Sequence, residues 1–313
     1  MPLRSANRIT TFAAMQRAYL KMHFAIFLWG FTGILGKLIS LQEFPLVWWR
    51  ILLTVFTLGA FLKWKRELEP PPWNEMKKIA FVGGIIALHW VTFYGSIKYA
   101  NVSIALSSLA STALFTAILD PLLNRRKPKA TELILGLFTI FGIYLIFRFQ
   151  QLYAVGITLG LISAMLCAYF TIQTKGLLET HGPRNLLFYE LIGGLGTLTL
   201  LAPLYLYLFP SPTLIPTIAD SGYLVLLAVV CTVYAMQLSY QALKQVSPFV
   251  MNLSVNLEPI YSIILAAIIF HEHEELNLGF YAGAGVIIIS VAANGLIYMN
   301  QKRRAKKQAL LPH

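Results

Sequence analysis

The sequence predicts an all-α integral membrane protein in which ten transmembrane helices form two inverted five-helix repeats. The first observation behind this prediction is composition, since 57% of the 313 residues are hydrophobic and only 12% are charged. A soluble globular domain has about 25% charged residues, so this chain lacks the charge needed to cover a water-facing surface. The other two observations are the spacing of long apolar runs and the one-sided distribution of lysine and arginine.

The ten apolar runs are each long enough to cross a bilayer, which takes about 20 residues in a helix. They cover residues 23–41, 45–63, 78–97, 102–123, 131–148, 154–174, 185–208, 221–243, 248–270 and 277–298. A basic segment, residues 1–21, precedes the first run and lacks the early apolar core of a cleavable signal peptide. A second basic segment, residues 299–313, follows the last run.

Positive charge is strongly asymmetric between the two sides of this ten-helix arrangement. The lysines and arginines that fall outside the predicted basic side are Lys37, Arg50, Lys98 and Arg148. Because positive residues favour the cytoplasmic side, we expect both termini to be cytoplasmic. The net charge of +12 is therefore a sign of membrane orientation and of contact with anionic lipid, and we expect no nucleic-acid partner.

A weak internal repeat divides the chain into residues 22–148 and 154–298. Val102-Ser103 corresponds to Val246-Ser247 when the two halves are aligned, and Arg50 corresponds to Glu190 in the second span of each half. Five spans is an odd number, so the two halves enter the membrane from opposite sides. Inverted repeats of this kind are common in secondary transporters, where the substrate site lies near midplane between the halves.

Two stretches resemble a known family. The first runs from Trp29-Gly30 to Lys37 and continues through Pro45-Leu46 and Arg50-Ile51-Leu52-Leu53, which is similar to the opening of an EamA-type repeat. Leu257-Glu258-Pro259-Ile260, followed by an apolar run, is similar to the end of such a repeat. The resemblance implies a member of the drug/metabolite transporter superfamily, with ten helices in two repeats, which often exports amino acids or related metabolites.

Two ionisable residues near the middle of predicted spans are candidates for proton coupling or gating. A charge at the bilayer centre costs about 2.5–3.5 kcal/mol on insertion scales, so Glu258 and His89 need an explanation. Glu258 could bind a proton or a substrate amine, or it could brace the kink at Pro259. His89 could relay a proton, or it could be a neutral side chain bonded to a carbonyl group. Arg50 and Glu190 are expected to snorkel or to pair locally.

Polar residues at helical spacing predict a face that lines a shared cavity. The fourth span carries Ser108 and Thr112, and the ninth carries Asn252 and Asn256, each pair separated by four residues on one helical face. The repeat aligns the first pair with the second. The alternative is hydrogen bonding between helices, which small polar residues commonly provide in membranes.

Aromatic residues predict the walls of the same cavity. Trp90 and Phe93 in the third span have the same spacing as Tyr234 and Gln237 in the eighth. Aromatic walls with a few polar groups suit an amphipathic organic solute, although such stripes also serve ordinary packing.

Together these observations predict a secondary transporter of small organic metabolites in the cell (inner) membrane, working by alternating access and most simply as an amino-acid exporter. A broad efflux carrier for drugs or amphipathic compounds is one alternative. An intramembrane lipid-modifying enzyme using His89 and Glu258 is another. We expect no cofactor and no metal site, because the hydrophilic string His271–Glu275 lacks metal-ligand spacing. A homodimer through Gly279 and Gly283 stays open.

Overall fold

The computed structural model describes residues 3–147, 153–209, 213–270 and 278–308, and over these residues the chain is helical with no strand. The helices are α1 Leu3–Leu38, α2 Glu43–Lys65, α3 Trp73–Tyr99, α4 Val102–Leu109, α5 Thr112–Leu123, α6 Ala130–Phe147, α7 Ala154–Leu177, α8 Pro183–Leu208, α9 Ile218–Ala228, α10 Ala235–Leu243, α11 Pro248–Val255, α12 Glu258–Phe270 and α13 Leu278–Gln308. A π-helical segment, Val229–Tyr234, joins α9 to α10.

Within the described ranges, six helices are long and apolar enough to cross a membrane. They are Ala14–Leu38 within α1, the whole of α2, α3, α7 and α8, and the continuous run Ile218–Leu243. Shorter apolar helices, Thr112–Leu123, Ala130–Leu145 and Tyr281–Asn294, lie where further crossings are predicted. An all-helical membrane protein is thus confirmed, whereas the count of ten crossings and the division into two repeats stay predictions.

Two of the predicted crossings each consist of two shorter helices. The run 102–123 divides into α4 and α5, and the run 248–270 divides into α11 and α12. At the second break Pro259 lies in the first turn of α12, where its missing N–H removes no helical hydrogen bond. Apolar periodicity predicts one continuous helix for each run, but hydropathy alone does not register a change of axis.

The loops of the bundle meet at two ends with different chemistry. At the end that we call the basic end, Arg184 pairs with Glu67 at 2.6 Å and His181 pairs with Glu75 at 2.8 Å. Glu67 follows α2 and Glu75 lies in the first turn of α3, so these contacts join the α2–α3 connection to the segment that leads into α8.

At the opposite end, acidic side chains accept hydrogen bonds from uncharged donors. Ser40 donates its backbone N–H and its hydroxyl to the two oxygens of Asp220, each at 2.7 Å. Tyr205 donates to Glu43 at 2.8 Å. Helices α1, α2, α8 and α9 are therefore tied together at this end.

Small residues allow a close crossing between α3 and α8. A Cβ atom at Gly83 would overlap the backbone carbonyl of Glu190, and one at Gly193 would overlap the backbone of Ala80. Such contact between backbones needs glycine on the facing surface. The backbone of Glu190 is consequently held against α3.

Other glycines also lie at close contacts between segments. Gly156 faces Ala100, and Gly160 faces Ser108. Gly283, one of the two glycines considered for a dimer, has its backbone carbonyl against Gly142 of α6 within the same chain. The homodimer itself stays a prediction.

Candidate functional site

A cavity lies in the interior of the bundle, where the broken helix α11–α12 meets α1, α2, α3, α4, α7 and α10. The space in it that the centre of a water-sized molecule can reach is about 90 Å³. Sites for organic ligands have mostly apolar walls and a few polar groups. The lining of this cavity has that composition, with Arg50, Asn252 and Glu258 among aromatic and aliphatic side chains.

Half of the sequence-predicted site residues lie on this cavity. They are His89, Trp90, Phe93, Asn252 and Glu258. Asn252 precedes the break between α11 and α12 and Glu258 follows it. Because the break reorients the chain, both side chains reach one cavity although they do not share a face of a regular helix.

The polar stripe of the fourth span lies away from the cavity, between helices. Ser108 packs against Gly160 of α7. Thr112 donates to the carbonyl of Leu109 at 2.6 Å. Both side chains are buried, so the structure places these two candidates in helix contacts.

The remaining three candidates also lie off the cavity lining. Asn256 is buried, with its amide nitrogen 3.5 Å from the carbonyl of Asn252. Gln237 is partly buried on α10. Tyr234 is half exposed on the bundle surface, where its ring meets Phe24 edge to face.

Asn252 combines a cavity position with bonds to two neighbouring helices. Its amide donates to Thr116 of α5 at 2.7 Å and accepts from Thr171 of α7 at 3.3 Å. The sequence offered a cavity face and hydrogen bonding between helices as alternatives. At Asn252 both occur together.

Arg50 is the main cavity residue that the sequence pattern does not identify. It is buried, and its Nε donates to Thr232 of the π-helical segment at 2.9 Å while Nη1 donates to Tyr94 at 3.1 Å. Its guanidinium carbon lies 3.9 Å from the ring centroid of Trp90. Arg50 therefore points inward, not toward the membrane interface as the snorkelling interpretation predicts. Its alignment with Glu190 in the repeat is the one signal that marks it.

Glu258 presents a second ionisable group to the same cavity. Its Oε1 accepts a hydrogen bond from Thr32 of α1 at 3.2 Å. Among the residues that the structure describes, neither Glu258 nor Arg50 takes part in an ion pair within 4 Å. The cavity thus holds one basic and one acidic side chain that do not form an ion pair with each other.

His89 links α3 to α7 across the cavity wall. Its Nδ1 lies 2.9 Å from the carbonyl oxygen of Ser163 and 2.8 Å from the Ser163 hydroxyl. A carbonyl oxygen only accepts hydrogen bonds, so this geometry fits an Nδ1–H donor. His89 is therefore bonded to a carbonyl group, as in one of the two interpretations considered from the sequence, and its protonation state stays a prediction.

Behind the wall nearest the basic end lies a fully buried carboxyl group. Glu190 accepts hydrogen bonds from Thr174 at 2.9 Å and from Tyr240 at 2.5 Å. Both donors line the cavity, whereas Glu190 lies one side chain further from it. Glu190 is therefore locally paired, with hydroxyl groups as its partners.

Within the described ranges, no three His, Cys, Asp or Glu side chains cluster as metal ligands would. The string His271–Glu275 lies outside the described residues.

Comparison with known proteins gives a family and a fold. The model of the EamA-like transporter family matches residues 16–148 and again residues 154–296. A curated relative from Archaeoglobus fulgidus, described as an uncharacterized transporter, is 25% identical over 287 residues, which cover 88% of this chain and 95% of the relative. A solved crystal structure, described only as that of a protein, superposes with a TM-score of 0.70 at 15% identity and covers 90% of this chain and 97% of its own.

Proposed function

The chain belongs to the EamA-like transporter family, and from this premise we propose that it is a secondary transporter that moves small organic metabolites across the cell membrane by alternating access. Amino acids are the proposed substrates, and export is the proposed direction. A transporter of this family is a membrane protein and not an enzyme.

The proposed architecture has ten crossings in two inverted repeats, residues 22–148 and 154–298. Support comes from the two separate family matches, 16–148 and 154–296, which divide the chain at nearly the same place. In this arrangement α4–α5 and α11–α12 are equivalent broken crossings. Broken helices near midplane are where secondary transporters commonly bind substrate.

The observation that carries the substrate class is the coexistence of Arg50 and Glu258 on one cavity without a mutual ion pair. A guanidinium binds a carboxylate in a planar, two-pronged arrangement. The carboxylate of Glu258 on the same cavity can accept hydrogen bonds from an ammonium group. An amino-acid zwitterion supplies both partners and leaves the cavity electrically balanced, which lowers the cost of burying all the charges.

The remaining lining suits the side chain of such a substrate. Trp90, Phe93 and Phe170 give the cavity aromatic walls. These surfaces favour apolar and aromatic side chains. We place Asn252 in a positioning role, since both ends of its amide are already bonded to neighbouring helices.

Orientation is proposed from charge. The lysines and arginines of the loops concentrate at the basic end, which we assign to the cytoplasm together with both termini. Asp220, Ser40, Glu43 and Tyr205 then lie at the external end.

The test is counterflow in liposomes that contain only the purified protein. Vesicles loaded with an unlabelled amino acid should take up the labelled form, whereas the matching amine and the matching carboxylic acid should be poor substrates because each lacks one charge. Preferential uptake of hydrophobic organic cations would support the efflux-carrier alternative instead. Chemical change of the vesicle lipids during the assay would support the enzyme alternative.

A further inference from the structure

We propose that Glu190, and not the cavity acid Glu258, binds the proton that drives transport, and that Tyr240 controls its access to the cavity. This inference rests on the proposed transport function and assigns its coupling ion.

The first argument is that no cation pairs with Glu190 within the part of the chain that the structure describes. Glu190 is fully buried, and its two oxygens accept from hydroxyl groups of α7 and α10. Tyr240 is the titratable group that faces it. A carboxylate buried without a cation carries a large desolvation cost, so its proton occupancy depends on whether water can reach it.

The charged residues nearest Glu190 on the surrounding helices are engaged elsewhere. Lys175, adjacent to Thr174 on α7, donates to the carbonyls of Leu243 and Lys244 at 2.7 and 2.9 Å. Arg184, earlier on α8, pairs with Glu67. From α3 the packed surface is the backbone at Gly83, and from α2 it is Gly59 against Phe188. None of these surfaces brings a charge to the Glu190 carboxyl.

The second argument is the position of Glu190 one layer behind the cavity. Tyr240 and Thr174 line the cavity and hydrogen-bond to Glu190 from there. Movement of the Tyr240 ring away from Glu190 therefore opens the carboxyl group to cavity water. Movement back seals it again, which is the access control that coupling requires.

The third argument concerns which of the two residues can move. The backbone of Glu190 is fixed against Gly83 at the close crossing of α3 and α8. Tyr240 lies on α10, and this helix begins directly after the π-helical segment. Conversion of one π turn to α geometry shifts the following helix by one residue, which is a rotation of about 100°. Such segments are frequent at functional sites.

The fourth argument is that the π-helical segment is hydrogen-bonded to Arg50, a residue of the cavity lining. Thr232 within it accepts a hydrogen bond from Arg50, and its hydroxyl donates to Leu227 five residues earlier at 2.8 Å. A substrate carboxylate that binds the remaining donors of Arg50 shares the guanidinium with Thr232. Substrate binding thereby acts on the helix that carries Tyr240.

The first half of the chain offers a counterpart that cannot release a proton. Arg50 aligns with Glu190 in the repeat, and it too bonds a buried tyrosine from the crossing that follows, Tyr94. An arginine stays protonated in proteins. Proton exchange is thus confined to the glutamate of the second half, and the arginine is left for the substrate.

The proton cycle balances without any other reactant. With Tyr240 displaced toward one side, the Glu190 carboxylate takes one proton from water and becomes a carboxylic acid. After the halves reorient, that proton returns to water on the other side and the carboxylate forms again. Tyr240 keeps its own proton and only makes and breaks a hydrogen bond.

The experiment compares Glu190→Gln with Glu258→Gln in proteoliposomes, using amino-acid exchange at equal pH and accumulation driven by a pH gradient. For Glu190→Gln we expect exchange within about twofold of wild type and an accumulation ratio that falls to one. For Glu258→Gln we expect exchange to fall at least tenfold. Gradient-driven accumulation by Glu190→Gln, or its loss in Glu258→Gln with exchange intact, overturns the assignment.

Two further measurements separate the proton site from a merely structural role and from the proposed function. Size-exclusion profiles of detergent-purified Glu190→Gln should match wild type, and loss of exchange in a well-folded variant contradicts the assignment. Infrared difference spectra between acid and alkaline pH, recorded without substrate, should show a protonated-carboxyl band that Glu190→Gln lacks. Absence of that difference overturns the proton site, whereas failure of wild type to exchange any amino acid overturns only the substrate class.

Discussion

The guanidinium carbon of Arg50 lies 3.9 Å from the centroid of the Trp90 indole, and both residues line the cavity. The ring faces one side of the guanidinium, while Thr232 and Tyr94 occupy two of its donors. A stacked arginine with further donors is preorganised to bind an anion in the plane of the guanidinium. This arrangement gives the first prediction.

Arg50→Lys keeps the positive charge but loses the planar donor pair and the stack on Trp90. Hydrogen bonds to charged groups contribute about 1.5–3 kcal/mol, which corresponds to roughly a 10- to 150-fold change in affinity. We expect KM for amino-acid exchange to rise by at least about tenfold. Arg184→Lys, at the exposed ion pair with Glu67, is the control and should leave KM unchanged.

Thr232→Val removes the hydroxyl that accepts from Arg50 and donates to Leu227. The side chain is fully buried and valine has nearly the same shape, so the loss is mainly of hydrogen bonds. We expect the free energy of unfolding to fall by about 1.5–3 kcal/mol, measured as a lower midpoint of thermal unfolding in detergent. Thr158→Val, exposed on α7 with a bond to Ala154, should unfold as wild type does.

Asn252→Leu and Asn256→Leu separate cavity exposure from helix packing in the polar stripe. Asn252 lines the cavity and bonds to Thr116 and Thr171, whereas Asn256 makes one long contact of 3.5 Å away from the cavity lining. We expect Asn252→Leu to lower exchange several-fold and Asn256→Leu to retain it at equal membrane expression. Equal losses in both variants contradict this distinction.

Composition and apolar runs are sufficient to predict the class of fold and many helix positions. The sixth predicted run, 154–174, begins at the same residue as α7, Ala154–Leu177, and ends within one turn of it. This agreement has a simple reason, because every backbone group in a membrane must be satisfied within its own helix. Helix breaks are harder, since α4 and α5 are both apolar and nothing in their hydropathy marks Ala110-Ser111 as a turn.

Side-chain partners are much less predictable than helices. Periodicity identifies which residues of one helix share a face, but it does not say which helix that face meets. Arg50 meets Thr232, which lies 182 residues further along the chain. The snorkelling interpretation of Arg50 considers only its own span and therefore misses the cavity. Glu258 and His89 are identified because their burial follows from their own positions near the middle of a span.

Gly83→Ala tests the close crossing of α3 and α8. Within a helix alanine is more favourable than glycine by about 1 kcal/mol, but here its methyl group would overlap the Glu190 carbonyl. We expect a net destabilisation of about 1–3 kcal/mol, seen as a lower unfolding midpoint and lower yield. Gly196→Ala on α8, where nothing lies within 4 Å of the new Cβ, should be neutral or stabilising.

Cysteine labelling tests the proposed orientation of the bundle. Cys167 and Cys231 are both buried and can be replaced by alanine to give a background without thiols. Lys127 lies in the exposed loop at the basic end, and Gln42 is exposed at the opposite end.

Because positive residues favour the cytoplasmic side, we expect Lys127→Cys to react with a membrane-impermeant maleimide only after cell lysis. Gln42→Cys and His273→Cys should react in intact cells. The reverse pattern places the basic end outside, while labelling of Lys127→Cys and Gln42→Cys from the same side contradicts the three crossings, by α2, α3 and α4–α5, that separate them in the ten-crossing arrangement.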